Sequence, residues 1–409
     1  MHDAIDRLRI AVFHDLPSGG AKRALQRQVQ GLVSLGHVVD VLVPSTANEQ
    51  FLPLSNVASS VRTFPRPPAP DRERALEGRP SPLDPARWLR YLGLVRQTER
   101  EIGQEIESGG YDVALVAASQ FTQAPWLLRR LLTPSLYYCQ EPLRAAYEPR
   151  IAPPLTRFLI RQTLGRIDKA NTQAATTVAV NSRFSARRIQ EIYGRSVHVN
   201  YLGVDAERFR KLNLERGDFV LTVAALHPLK GLDFLIESLG LMPPEDRPPL
   251  VVVSDRAREA ERRRVEEHAA RAGVALTFRF RVSEEELVRL YNQTRLVLYA
   301  PYNEPFGFVP LEAMACGTPV LGVREGGIPE TVVEGETGFL AERDPNHFAT
   351  RIRELMAAPD RAEQVALRAQ QIVRQQWTWE RSVAELAELC EATASQAKPS
   401  RIGGNQRSR

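Results

Sequence analysis

Short apolar, β-branched runs recur along the chain, with longer amphipathic stretches between them. In the first half, Arg9 to Phe13, Val38 to Val43, Tyr111 to Ala117, Ser135 to Cys139 and Thr176 to Val180 predict buried strands. Helical periodicity fills most of the gaps, as in Ala21 to Leu35 and Arg87 to Ile106. Strands that are apolar without alternation are covered on both faces, and intervening helices make the sheet parallel. The rhythm stops over the polar stretch Arg210 to Asp218 and then restarts. Phe219 to Leu226, Leu250 to Ser254, Leu276 to Phe280, Leu296 to Ala300 and Val320 to Val323 form a second strand set. The expectation is an α/β chain of two doubly wound Rossmann-like domains, residues 1–210 and 211–378. A last helix over 379–397 is expected to cross back to the first domain, and 398–409 to form a disordered tail. A ligand then belongs at the carboxyl ends of the strands, in the cleft between the domains.

Two segments break the pattern. Pro65 to Pro85 is dense in proline and charge and reads as an exposed loop. Pro153 to Lys169 sets Leu155, Phe158, Leu159 and Ile160 against Arg157, Arg161, Arg166 and Lys169. It predicts one amphipathic helix packed on its own domain, with membrane-surface contact as the alternative.

Composition narrows the class. Of 409 residues, 43% are hydrophobic and 25% charged, which excludes a wholly disordered chain. No apolar run approaches the roughly 20 residues of a membrane span, and no signal-like stretch opens the chain. Cys139, Cys316 and Cys390 lie far apart, against a disulfide or zinc framework; the expected location is the cytoplasm. The net charge of +5 is lopsided. Residues 1–210 hold 28 Lys+Arg and 20 Asp+Glu, leaving 26 basic and 29 acidic residues beyond. The basic half suggests an anionic partner, such as a phosphorylated lipid or the inner face of a membrane. Nucleic acid is not expected, since the arginines are scattered and not interleaved with aromatics.

Several phosphate and metal signatures are missing. No two glycines are separated by a single residue, so G-x-G-x-x-G is absent, and there is no P-loop or G-x-S-x-G. Histidines never pair at i,i+3 or i,i+4, and D-x-D does not occur, so neither a metal nor another cofactor is expected. A bound phosphate must be neutralised by basic side chains and helix N-termini. The segment from Tyr299, YAPYNEPFGFVPLEAMACGTPVLGVREGGIPETVVEGETGFL, offers such a place. A strand gives way to a loop, and a helix opens at Gly307 with Pro310 tolerated in its first turn. Glu304 precedes this helix and Glu312 lies eight residues on, inside it. Carboxylates accept hydrogen bonds from sugar hydroxyls, and the helix N-terminus suits phosphate. A nucleotide sugar presents both.

This segment resembles the E-x7-E region of family 4 glycosyltransferases, retaining enzymes of the GT-B fold, and the match continues through EAMACGTPV and EGGIPETV. LPSGGAKRAL resembles the family's N-terminal glycine loop. AVNSRFSARRI and VHVNYLGVDAERF resemble the end of its acceptor domain, and LTVAALHPLKGLDFLIESL the start of its donor domain. The resemblance implies that Glu304 holds hexose hydroxyls and Glu312 ribose hydroxyls. It implies that Phe306, Gly307 and Phe308 offer backbone N–H groups, and that Lys230 pairs with the diphosphate. Gly19 and Gly20 would let the backbone approach the diphosphate from the other domain.

Two positions depart from the family. Arg is usual one residue before Leu226, where this chain has Ala225; Arg256 or His227 are the candidate substitutes. Loss of one preorganised donor to a developing charge costs about 10²–10³-fold in rate. In YYCQEPLRAAYE, Gln140 stands where many members have His, followed by Glu141. Gln orients a hydroxyl but is no general base, whereas Glu141 is either a base or a loop-stabilising carboxylate. The expected function is transfer of a hexose from a nucleoside-diphosphate sugar to a glycan, lipid-linked or small-molecule hydroxyl, without metal. The alternative is a catalytically weakened protein that still binds nucleotide sugar or carbohydrate.

Overall fold

The computed structural model describes residues 7–69, 85–255 and 258–396. Most of the proline-rich stretch, Arg256 and the tail from residue 398 lie outside the described residues. Among the described residues, seven parallel strands form a first sheet: β1 (Arg9–Asp15), β2 (Val38–Pro44), β3 (Ser60–Phe64), β4 (Val113–Ser119), β5 (Ser135–Tyr138), β6 (Thr177–Val180) and β7 (His198–Val199). Their spatial order is β3-β2-β1-β4-β5-β6-β7. The helices on this half are α1 (Gly20–Ser34), α2 (Pro85–Ser108), α3 (Arg144–Tyr147), α4 (Pro154–Gln162), α5 (Leu164–Ala174) and α6 (Arg183–Tyr193).

Six parallel strands form the second sheet: β8 (Val220–Val223), β9 (Leu250–Ser254), β10 (Leu276–Phe280), β11 (Leu296–Tyr299), β12 (Val320–Val323) and β13 (Phe339–Ala341), in the order β10-β9-β8-β11-β12-β13. With them go α7 (Leu232–Gly240), α8 (Glu259–Arg271), α9 (Glu284–Gln293), α10 (Phe308–Ala315), α11 (Ile328–Thr331), α12 (Pro345–Ala357), α13 (Pro359–Gln376) and α14 (Trp379–Ala394).

The uninterrupted apolar strands explain the double winding. Along β1, Ile10 and Val12 join one core with Leu25, Val29 and Leu115, whereas Ala11 and Phe13 join another with Ile102, Val116 and Tyr137. Each fully buried Val, Leu or Ile contributes about 1.5–3 kcal/mol. α14 packs on α1, β4 and β5 of the first domain. Thr393 Oγ1 donates to Thr177 Oγ1 at 2.8 Å, and Asn200 Nδ2 to the Ser382 carbonyl at 2.9 Å. The chain therefore passes between the domains twice, and the two passages touch. The Val204 amide donates to the Trp377 carbonyl at 2.9 Å, and a Cβ on Gly203 would lie 2.4 Å from the Thr378 carbonyl carbon. Only glycine permits that approach.

Three strands go beyond the sequence pattern. β3, β7 and β13 are sheet edges; β3 buries no residue, and the other two span two and three residues. The run Phe219 to Leu226 is strand only over Val220–Val223. The helix expected over Pro153 to Lys169 breaks at Thr163, whose φ and ψ are −112° and −90°. The break turns the two halves differently. α5 buries Asp168, Asn171 and Thr172, whereas α4 rests on α3 and α5 of its own domain without burying any residue fully. Leu155, Phe158 and Leu159 stand 71%, 50% and 55% exposed on one side of α4. No helix among the described residues is long and apolar enough to cross a membrane.

Candidate active site

The site grows from two turns at the carboxyl edge of the second sheet. After β8 the chain makes a tight turn over Pro228–Lys230, closed by Gly231 at φ 73°. A Cβ on Gly231 would sit 1.9 Å from the Ala300 carbonyl oxygen, so glycine alone lets this turn press against the loop after β11. The Tyr302 amide donates to the Leu229 carbonyl at 2.8 Å. With the loop held there, Lys230 Nζ donates to Glu304 Oε2 at 2.7 Å. The two residues assigned to different parts of a donor thus meet directly. Gly307, at φ 86°, opens α10, whose first amides have no intrahelical partner. The Phe306 ring turns inward onto Phe308 and Trp377, so its side chain is core.

Glu312 is buried inside α10. Tyr291 donates its hydroxyl to Oε2 at 2.8 Å, and Arg23 of the first domain donates Nη1 to Oε1 at 2.9 Å. Burial pushes this carboxyl up, while Arg23 and Tyr291 oppose the shift. Glu304 and Glu312 therefore bracket the N-terminal end of α10, each engaged by a cationic side chain. From the other side comes the start of α1. Gly19, at φ 141°, has open space where a Cβ would stand, and a Cβ on Gly20 would lie 3.4 Å from the Phe308 ring. The glycine loop and the N-terminus of α10 face each other across the cleft.

The loop after β5 completes the first-domain wall. The Gln140 carbonyl accepts from Ser185 Oγ at 2.8 Å, and Gln123 Nε2 donates to the Glu141 carbonyl at 3.0 Å. The Gln140 and Glu141 side chains line a cavity of about 370 Å³ with Asp15, Gln28, Gln120 and Tyr138. Asp15 is already engaged, by buried Arg66 and by Gln120 Nε2 at 3.0 Å. Glu141 keeps 32% of its side-chain surface, yet the cleft walls dehydrate its carboxyl and push it up to about 7; Arg144 opposes, Glu304 adds to the rise and Lys230 opposes. Glu141 thus feels Lys230 and Glu304 from across the cleft.

Of the two substitutes expected for the missing arginine at Ala225, His227 is the disfavoured cation: dehydration, then Lys230 and Arg144, push its imidazole below its ordinary value. Arg256 lies outside the described residues. Arg23 and Arg144 reach the site without having been expected there. Arg23 had a signal, because it directly follows the glycine loop in GGAKR; Arg144 had none beyond its place in the Gln140 loop.

The description Glycosyl transferase 4-like domain matches residues 19–204, and Glycosyl transferases group 1 matches residues 204–372. The chain belongs to the group 1 glycosyltransferases. Curated members similar to it include D-inositol 3-phosphate glycosyltransferase of Geodermatophilus obscurus, 33% identical with 54% of each chain covered. Alpha-1,3/1,6-mannosyltransferase ALG2 of Homo sapiens is 28% identical over 49% of this chain and 55% of its own. This glycosyltransferase chain spans about half the length of the curated relatives it matches. Among solved structures, sucrose-phosphate synthase from Thermosynechococcus elongatus superposes with a TM-score of 0.73 at 21% identity, covering 94% of this chain and 99% of its own. Anabaena HepE, solved in complex with UDP-glucose, gives 0.71 at 20% identity, covering 94% and 100%. At that identity they establish the fold, which is GT-B, for this glycosyltransferase.

Proposed function

We propose that this protein is a retaining glycosyltransferase that moves a hexose from a nucleoside-diphosphate sugar to an acceptor hydroxyl. The Lys230–Glu304 pair, 2.7 Å apart before the N-terminus of α10 and opposite the Gly19–Gly20 loop, carries this reading. Lys230 moves from Glu304 to the diphosphate, which frees Glu304 to accept from hexose hydroxyls. Ribose hydroxyls take the place of Arg23 on Glu312. The glycine loop and the amides of Gly307 and Phe308 add donors to the phosphates. As the anomeric C–O bond breaks, its electron pair stays on the phosphate oxygen. The acceptor oxygen forms the new bond on the same face, and its proton passes to the departing phosphate. Gln140 orients the acceptor. Lys230 and the helix N-termini meet the growing charge, so transfer is expected to proceed equally in excess chelator and in added magnesium.

UDP-glucose, bound by HepE, is the first donor to test, followed by GDP-, ADP- and dTDP-sugars. A bound donor raises Tm by mass action. Inositol phosphates, named in the relatives, belong in the acceptor panel beside glycans and lipid-linked sugars. Lys230→Ala and Glu304→Ala are expected to stay folded and lose transfer; full activity in Lys230→Ala would remove the diphosphate role. Ala225 and Gln140 favour a second reading, a nucleotide-sugar-binding protein without turnover. Donor binding with no nucleotide release on any acceptor would select it.

The exposed Leu155, Phe158 and Leu159 beside Arg161, in a half with excess basic charge, support a peripheral contact with an anionic membrane surface. Buried, unpaired Cys139, Cys316 and Cys390 fit a reducing cytoplasm.

A further inference from the structure

We infer that Arg144, on the first domain, supplies the second cation of the diphosphate site. This assignment rests on the donor reading above and deepens it. A departing nucleoside diphosphate carries more than one negative charge, whereas Ala225 contributes none of the positive charge needed, and dehydration, Lys230 and Arg144 all disfavour a charge on His227. Arg144 begins α3, directly after the loop that carries Gln140 and Glu141. Its guanidinium crosses to the second domain, where Nη2 donates to the Tyr302 carbonyl at 2.7 Å while Nη1 lies 3.4 Å from Glu141 Oε2. Tyr302 is the residue whose amide is tied to the Lys230 turn, and Glu304, two residues on, holds Lys230. Arg144 and Lys230 thus both end on the loop after β11, at Tyr302 and Glu304, from opposite domains.

The loop behind Arg144 is fixed. The Leu143 amide donates to Asp168 Oδ2 at 3.3 Å, the Cys139 amide to the Ala179 carbonyl at 2.8 Å, and Gln123 holds the Glu141 carbonyl. Only the side chain has to move. On arrival of the diphosphate, Arg144 exchanges the neutral Tyr302 carbonyl for a phosphate oxygen, a charge-assisted partner. Because the guanidinium belongs to the opposite domain, it reaches the leaving group only when the domains are together. Charge stabilisation and cleft closure become one event.

The test uses the full chain and two probes, UDP and uridine, in calorimetric and competition titrations. Arg144→Gln is expected to weaken UDP about 10–100-fold, the range of one lost charge-assisted bond, and to leave uridine binding unchanged. Arg144→Lys keeps a cation and is expected to retain most of the UDP affinity. Adding Ala225→Arg to Arg144→Gln is expected to restore UDP binding from the second domain. Unchanged UDP affinity in Arg144→Gln overturns the inference. So does an equal loss for UDP and uridine, which would mark Arg144 as a domain-packing residue. If the wild-type chain binds none of UDP, GDP, ADP and dTDP, the donor reading falls and takes this assignment with it.

Discussion

Lys230, Glu304 and Glu312 show what a single position can and cannot disclose. Residue type and spacing placed Glu304 and Glu312 around one helix N-terminus, the family resemblance added Lys230, and the fold brings the three together. Their partners were not legible. Arg23 on Glu312 and Arg144 on Tyr302 join residues 289 and 158 positions apart, and no periodicity relates such pairs. Two residue-scale outcomes follow. Gly231→Ala places a Cβ 1.9 Å from the Ala300 oxygen at a left-handed φ, and is expected to cost at least about 1–3 kcal/mol, read as a fall in the denaturation midpoint. Glu99 is fully buried, and burial together with Asp15 pushes its carboxyl from 4.5 up to about 8, against the Trp126 amide and Arg66. A raised carboxyl favours folding below its unfolded value, and that contribution is lost as pH rises through the folded one. Wild-type stability should therefore fall relative to Glu99→Gln between about pH 4.5 and 8; parallel stability–pH curves for the two proteins would show that Glu99 does not titrate there.

Among the elements, the central strands were readable because burial on both faces leaves no polar position to confuse the count. β1, β4, β9 and β12 match their apolar runs to within two residues. Of the edges, β10 matches its run Leu276 to Phe280, but β3, β7 and β13 were not readable, since β3 needs apolar residues on neither face and the other two span two and three residues. The segment from Pro153 to Lys169 misled for another reason. One amphipathic period runs through Thr163, but the backbone does not, and Leu155, Phe158 and Leu159 before the break stay exposed. Replacing Leu155, Phe158 and Leu159 by Ser should leave Tm unchanged, because none is buried. It should abolish salt-sensitive sedimentation with phosphatidylglycerol vesicles. Equal binding of the wild type to phosphatidylcholine vesicles would dispose of the electrostatic part of this contact.

Across the whole molecule, the domains are held together by polar bridges. Glu330 on α11 accepts from the Arg183 and Phe184 amides at 2.8 and 2.7 Å, at the positive end of α6, and from the Tyr201 hydroxyl at 2.7 Å. Asn303 Nδ2 donates to Glu148 Oε2 at 2.9 Å beside the Arg144 bridge. Each charge-assisted bond contributes about 1.5–3 kcal/mol. Glu330→Ala is thus expected to open the ligand-free molecule, seen as a larger radius of gyration in solution scattering; an unchanged radius would locate the closing force elsewhere.

The return of α14 to the first domain has a consequence for how the protein is made. The surface of α1, β4 and β5 that α14 covers belongs to a domain whose strands end by Val199, yet the covering helix begins only at Trp379. During translation that apolar surface waits uncovered while the whole second domain leaves the ribosome, a period of about 10–40 s at 5–20 residues per second. The first domain to be started is the last to be finished. Its nascent form is the species that a chaperone would meet, and the one from which misassembly would begin.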